Sequence, residues 1–395
     1  MLHTPFMRTR TFLRSLPALT LAVVSLSLPS AVADTPKRAS GVLQPFVDRQ
    51  ELAGAVTLVA TKDKVLELSA VGYSDVAEKT PLKTDAVFWI ASMSKPITAA
   101  VVMMLVDEGK ISLDDPVEKY LPEFKGQQLA IMKGGKQVGL KAPKHPITVR
   151  NVLSHTSGLP FKSPQEAPTL DALPLKDAVK TYAEMALQFE PNTAYQYSNA
   201  GINTAARILE VVSGLTYEDF MDQRLFTPLG MTDTTFWPNE AQVARLARAY
   251  QPNGGKNALE ETTISQLQYP LTERTTRFPM PAGGLFSTAR DVLRFCQMVA
   301  NGGEFDGRRY LSEQAVKTMT SRQTAMSIKQ PYGLGWTTGE SFGHNGAMAT
   351  NMTVHPKVGL ITVFLVQHVG FPGNGASSRR EFEKAALASF GKAQQ

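Results

Sequence analysis

The chain of 395 residues has a single cysteine, Cys296. An intramolecular disulfide is therefore excluded, and the fold must rest on its core; Cys296 itself, in the apolar run from Val292 to Val299, reads as a buried structural thiol. Histidine is scarce too, at 6 residues, and these form no H-E-x-x-H motif and no close pair. A zinc site is thus unsupported, and no metal or organic cofactor is expected. Charge of one sign is missing: 41 Lys and Arg stand against 35 Asp and Glu, scattered along the chain, a balance that gives no basis for nucleic-acid or anionic-surface binding. Past the first 33 residues no apolar run is long enough to span a bilayer. Internal repeats and low-complexity segments are also absent.

What is present begins with a three-part leader. Arg8, Arg10 and Arg14 form a basic region, Leu16 to Leu28 an apolar one, and Ala31-Val32-Ala33 a small-residue cleavage site, the pattern of a secretory signal. Residues 1–33 are expected to be removed and the remainder exported, to the periplasm or the medium. No cysteine lies near the cleavage site, which argues against a lipid anchor. Removal of the leader lowers the net charge from +6 by those three arginines.

The remainder is long enough for one large core or two smaller ones. Ala55 to Ala60 and Val65 to Val71 read as strands joined by a Thr61–Lys64 turn, after a helical stretch near Val42 to Leu52. Helices and long loops fill about 110–280, with capping signals at Thr148 and Thr216, and Lys133 to Lys144 read as a solvated loop or hairpin. Beyond Gly284 a helix runs to about Ala300, followed by strand-like segments at Gly333–Trp336, Ala347–Val354 and Leu360–Gln367 and a terminal helix from Arg380 to Phe390. Strands at both ends with helices between them imply an α+β fold: one antiparallel sheet built from the two termini, flanked by terminal helices, beside a mainly helical part. The sheet lobe is expected at about 38–90 and 284–395, the helical lobe at about 91–283, with a site in the cleft between them.

The chemistry concentrates in three short motifs. Ser92-Met93-Ser94-Lys95 opens a helical pattern in which Ile97, Ala100, Val101, Met104 and Leu105 share a face, with Gly109 ending the run. Positions i and i+3 lie on one side of a helix, so the Lys95 amine can reach the Ser92 hydroxyl. A serine is a poor nucleophile unless a base takes its proton, and a desolvated lysine is such a base. This spacing alone arises by chance about once or twice in a chain of such length, so its partners matter. Tyr197-Ser198-Asn199 is the only Y-x-N in the chain. A phenol acts as general base if a cation holds it as phenolate, and Lys95 would be that cation; the Asn199 amide can both donate to and accept from a substrate. Last comes His344-Asn345-Gly346, read as opening a strand. Glycine lets a substrate approach closely, and the following N–H, of Ala347, could face a developing oxyanion. Three similar triplets, at Lys133, Lys357 and His368, fall in the wrong order or in turns.

These motifs together resemble the serine β-lactamase and penicillin-recognising superfamily, in its class C-like branch with D,D-peptidases, D-aminopeptidases and family VIII carboxylesterases. Phe88-Trp89-Ile90-Ala91, Leu153 to Leu159, Tyr197 to Gly201, Pro228 to Met231 and Tyr332 to Trp336 are similar in type and order, so the resemblance covers nearly the whole chain after the leader. It implies a β-lactamase/transpeptidase-like fold, Ser92 as the acylated nucleophile, and Lys95 and Tyr197 sharing its proton. It further implies Asn199 orienting substrate and an oxyanion hole from the N–H groups of Ser92 and Ala347. Where class C β-lactamases carry a lysine this chain has His344, which is more like the esterase and peptidase branches.

Gly339-Glu340-Ser341-Phe342-Gly343 also matches the G-x-S-x-G nucleophile elbow, but that elbow needs a helix after it and the order Ser, acid, His. Here Glu381 and Glu383, the only acids after Ser341, follow the last histidine, His368, so the segment reads as a turn. His155 reads as a buried hydrogen-bonding residue. The resulting expectation is an exported serine hydrolase acting on a small ester, carboxylesterase-type first and D-peptide or weak β-lactam hydrolysis second. A penicillin- or peptide-binding protein with little turnover is the alternative from another class. The loops 122–146, 159–175 and 252–282 are expected to border the cleft.

Overall fold

The computed structural model describes residues 9–11 and 38–391. The chain divides into two units, Met1–Lys37 and Arg38–Gln395, and the leader at 1–33 falls, but for residues 9–11, outside the described residues.

A six-stranded antiparallel sheet organises the second unit. Its order is Phe342–Asn345, Asn351–His355, Leu360–Leu365, Gly54–Ala60, Val65–Asp75 and Thr80–Pro81. The central pairing joins the two ends of the chain, with Val56 opposite Leu365 and Leu58 opposite Val363. Alternation along these strands explains why both faces are covered. Val56, Leu58, Ala60, Ile361, Val363 and Leu365 point into the large core, where Val292, Phe295 and Cys296 of the Ala289–Ala300 helix meet them. Ala55, Val59, Leu360 and Phe364 face the other way, onto Leu43, Phe46, Phe382 and Ala386 of the terminal helices. There the Glu67 carboxylate accepts the N–H groups of Ala39 and Ser40 at 2.7 and 3.0 Å. Cys296 is fully buried, and burial pushes its thiol up to about 12.

The Ser94–Asp107 helix runs through the large core. Every residue from Ser94 to Leu105 is buried, so the single apolar face read from its periodicity becomes a helix enclosed on all sides. Asn199–Ser213 packs against it and against Val149–Leu153. That approach requires Gly201, since a Cβ there would stand 2.7 Å from the Val152 carbonyl oxygen. The predicted caps are present: Thr148 and Thr216 accept the N–H of Asn151 and Asp219. The Lys133–Lys144 region is a hairpin, Leu129–Lys133 with Lys136–Lys141. Among the described residues no helix is long and apolar enough to cross a membrane.

Two strand expectations need correction. Gly333–Trp336 is a tight turn, because its N–H groups are used elsewhere: Gly333 donates to Trp336 O at 2.8 Å, Leu334 to Met319 O and Gly335 to Leu153 O, each at 2.9 Å. The segment from Ala347 to Val354 is a strand only from Asn351. Gly346 donates to Thr350 O at 2.8 Å and Ala349 to Gly346 O at 3.0 Å, closing a turn. The sheet's edge strand is instead Phe342–Asn345, with His344 opposite Met352.

Candidate active site

Ser92 is the middle residue of a single 3-10 turn, Ala91–Met93, from which the Ser94–Asp107 helix continues. The chain reaches it through the short strand Phe88–Trp89, paired with Phe286–Ser287. Trp89 Nε1 donates to Gly283 O at 2.7 Å and Ile90 N–H to Leu285 O at 2.9 Å. Ala91 then takes a φ of +46°, a region costly for a residue with a Cβ. Ser94 Oγ clamps that turn by donating to Ala91 O at 2.7 Å. Ser92 is left partly exposed, in the first turn of a helix whose N–H groups have no intrahelical acceptor.

One turn on, Lys95 has no exposed surface. Its Nζ lies 2.8 Å from Asn199 Oδ1, 2.6 Å from Ala282 O and 3.1 Å from Ser92 Oγ. Burial holds the amine well below its ordinary value of 10.5, because charge is costly where water is excluded. A neutral amine has two N–H donors and one lone pair. The Asn199 and Ala282 oxygens can only accept, so they take the donors and leave the lone pair for the Ser92 proton.

Asn199 starts its helix and is placed by the residue before it. Ser198 Oγ accepts from Gly201 N–H at 3.0 Å and donates to Pro160 O at 2.6 Å, while the N–H groups of Asn199 and Ala200 donate to Phe161 O. Asn199 Nδ2 has no protein partner among the described residues, and so is available to a ligand. Tyr197 is half-buried. Its ring lies beside those of His155, Phe161 and His344, at centroid distances of 4.6, 6.3 and 6.1 Å, and Lys95 Nζ sits 4.5 Å from its centroid. Burial raises its phenol above the ordinary value of 10, and a hydrogen bond with Ser92 only partly offsets this. The phenolate expected from the sequence is therefore not the resting form; Lys95, deprived of water, is too poor a cation to hold one.

His344 is 5% exposed. Its Nδ1 is 2.7 Å from Asn345 O and its Nε2 is 3.0 Å from Tyr332 Oη. Burial and the proximity of Lys95 lower the imidazole to about 3, so it is neutral at physiological pH. Gly346 brings its turn against the approach to Ser92: a Cβ there would stand 2.5 Å from Ile90 O. Ala347 lies in that turn, not in a strand, and is exposed; its N–H has no acceptor among the described residues.

Ser92, Lys95, Tyr197, Asn199, His344, Gly346 and Ala347 thus come from three distant segments to one place. His155 is fully buried; its Nδ1 accepts Ser198 N–H at 3.2 Å and its Nε2 is 3.2 Å from Tyr332 Oη. Ser341 stands in a bend followed by the Phe342–Asn345 strand where an elbow needs a helix, and no histidine or carboxylate bonds its hydroxyl among the described residues. Sequence reasoning missed the Ala282 carbonyl, which carries no side-chain signal, and Tyr332, visible only as part of a framework segment. Among the described residues no cluster of His, Cys, Asp and Glu could hold a metal.

A family model described as Beta-lactamase matches residues 39–386. Protein Rv1367c of Mycobacterium tuberculosis is 30% identical over 360 residues, 82% of this chain and 88% of its own. Esterase EstB of Burkholderia gladioli is 28% identical over 290 residues, 67% of this chain and 70% of its own. Other relatives are named penicillin-binding protein and N-acetylmuramyl-L-alanine amidase. Among solved structures, EstCE1, described as a hydrolase with promiscuous acyltransferase activity, superposes with a TM-score of 0.73 at 23% identity, covering 89% of this chain and 97% of its own. At that identity the likeness speaks to the fold.

Proposed function

Because the chain belongs to the beta-lactamase family, as a serine hydrolase, we propose that it cleaves carboxylic esters through an acyl-enzyme on Ser92. The observation that carries this reading is the Lys95 amine, sealed from water, with its lone pair left for the Ser92 hydroxyl at 3.1 Å. In the first step Ser92 Oγ attacks the ester carbonyl carbon as its proton passes to Lys95 Nζ. The negative oxygen is met by the N–H groups of Ser92 and Ala347, each contributing about 3–4 kcal/mol in such sites. As the tetrahedral adduct collapses, Tyr197 hands its proton to the leaving alkoxide and is left as phenolate while Lys95 keeps the proton from Ser92. Water then attacks the acyl carbonyl as Tyr197 takes a proton from it, Ser92 Oγ leaves and recovers its proton from Lys95 at 3.1 Å, and the acid is released.

Ester substrates without a carboxylate beside the scissile bond are favoured by His344. Both its nitrogens are engaged and it is uncharged, so it offers no fixed cation of the kind a β-lactam carboxylate would use. EstB, an esterase by name, supports the same choice. The leader pattern supports export to the periplasm or medium.

Fluorophosphonate labelling of the protein, with peptide mass mapping, tests the mechanism. Label on Ser92 followed by turnover of p-nitrophenyl esters above D-alanyl peptides and nitrocefin is the expected result. Preference for the D-peptides would move the protein to the peptidase reading, and absence of label would leave a binding protein.

A further inference from the structure

The two buried histidines beside Tyr197 are linked by a phenol, and the partners at their outer ends fix every proton between them. A backbone carbonyl can only accept, so His344 Nδ1, 2.7 Å from Asn345 O, carries a hydrogen. A backbone N–H can only donate, so His155 Nδ1, 3.2 Å from Ser198 N, is bare. Neutral imidazole carries one hydrogen. His155 therefore bears it on Nε2 and donates to Tyr332 Oη at 3.2 Å, while Tyr332 donates its own to the bare Nε2 of His344 at 3.0 Å. The four bonds run one way, from Ser198 N–H through His155, Tyr332 and His344 to the Asn345 carbonyl. Reversing any link sets donor against donor or acceptor against acceptor, and Tyr332 and His155 have no exposed surface from which water could repair the mismatch.

We propose that Tyr332 and His155 are positioning residues that lock His344 as its Nδ1–H tautomer, so that its ring walls Tyr197 without taking part in proton transfer. The inference rests on the ester-hydrolase reading and narrows its proton inventory. With all four ring nitrogens engaged, neither imidazole has a lone pair for the Ser92 proton, and the exchange is confined to Ser92, Lys95 and Tyr197. Lys95 is the titratable group facing both rings; burial is the chief cause that lowers each imidazole, and a proton on Lys95 lowers it further. The relay also ties the Tyr197-Ser198-Asn199 loop to the sheet edge that leads to Ala347, holding both sides of the site in register.

Long-range proton–nitrogen NMR of protein labelled with 15N-histidine reads the tautomers directly, with His155→Gln and His344→Gln used for assignment. The expected result is opposite tautomers on the two sides of Tyr332: His344 protonated on Nδ1 and His155 on Nε2. In Tyr332→Phe both ring signals should change, with kcat on an ester falling about tenfold and KM staying within about twofold, since a lost buried hydrogen bond misplaces the wall without removing a substrate contact. The same tautomer on both histidines of the wild-type protein overturns the proposal even if the variant does not fold, and so does a folded Tyr332→Phe with unchanged kcat. Failure of Ser92 to label would overturn the hydrolase reading and leave the tautomers as they are, so the two failures are distinguishable.

Discussion

Lys95 Nζ lies 4.5 Å from the centroid of the Tyr197 ring and makes no hydrogen bond to its oxygen. While the amine is neutral this contact contributes little. Once Lys95 takes the Ser92 proton, the new cation sits on a ring face that attracts it, an interaction of about 0.5–2 kcal/mol that exists in the transition state and not before it. Tyr197 would then serve twice, by its face and by its hydroxyl.

Tyr197→Phe separates the two roles. The face remains and the proton for the leaving group is lost, so kcat/KM for alkyl esters should fall about 10²–10⁴-fold, with much less effect on kcat/KM for p-nitrophenyl esters, whose leaving group needs no proton. Steady-state kinetics over a series of leaving groups gives the answer; equal losses across the series would exclude Tyr197 as the proton donor.

Ser92→Ala should reduce ester turnover to background, and Ser341→Ala should leave it within about twofold, as expected for a half-exposed residue outside the machinery. The reverse pattern would restore the elbow at Gly339–Gly343.

The lowered Lys95 pKa has two pH signatures. Activity requires the neutral amine, so kcat/KM should rise with pH through a value below 10.5, with no decline from Tyr197 until above 10, where its raised phenol ionises. For stability, the unfolded chain binds a proton on this lysine that the folded protein refuses. The cost is full below the folded pKa and vanishes as pH rises past the unfolded value near 10.5. Denaturant unfolding of Lys95→Met and wild type should therefore show the wild type gaining on the variant from pH 7 towards 10.5; a constant difference would mean that Lys95 is charged in the fold.

Asp171 and Arg277 form an ion pair at 2.8 Å with 1% and 2% of their side chains exposed. Asp171 also accepts Gln268 N–H at 3.0 Å, and Arg277 reaches the carbonyls of Phe236 and Leu271. The pair fastens the segment that delivers Ala282 O to Lys95. Asp171→Ala leaves a buried guanidinium without its partner and should destabilise the protein by about 3–5 kcal/mol, measured by chemical unfolding. A loss below about 1 kcal/mol, the range of an exposed pair, would show that the segment opens readily to water.

The parts of the site that were legible in the sequence are those whose chemistry lives in side chains at fixed spacing. Ser92 and Lys95 are one helical turn apart, and Tyr197 and Asn199 stand at a helix start capped by Ser198. The sheet strands Gly54–Ala60 and Leu360–Leu365 announced themselves as apolar runs because both their faces are buried. Less visible was anything decided by the backbone. The edge strand Phe342–Asn345 was hidden in a glycine-bearing segment with too little apolar character, and the turn at Gly346–Thr350 was masked by residues that suit a strand. The state of Tyr197 was misread because it depends on burial, which spacing does not report.

The pairing of Val56 with Leu365 has a kinetic consequence. The strand Gly54–Ala60 is apolar on both faces and lacks one neighbour until some three hundred further residues have been made. Contacts this far apart in the chain are slow to form, and during that wait the strand is a sticky surface. A nascent chain would carry its nucleophile, base and Y-x-N loop without the turn at Ala347. Activity would then begin only after the turn at Ala347 and the Leu360–Leu365 strand have been made.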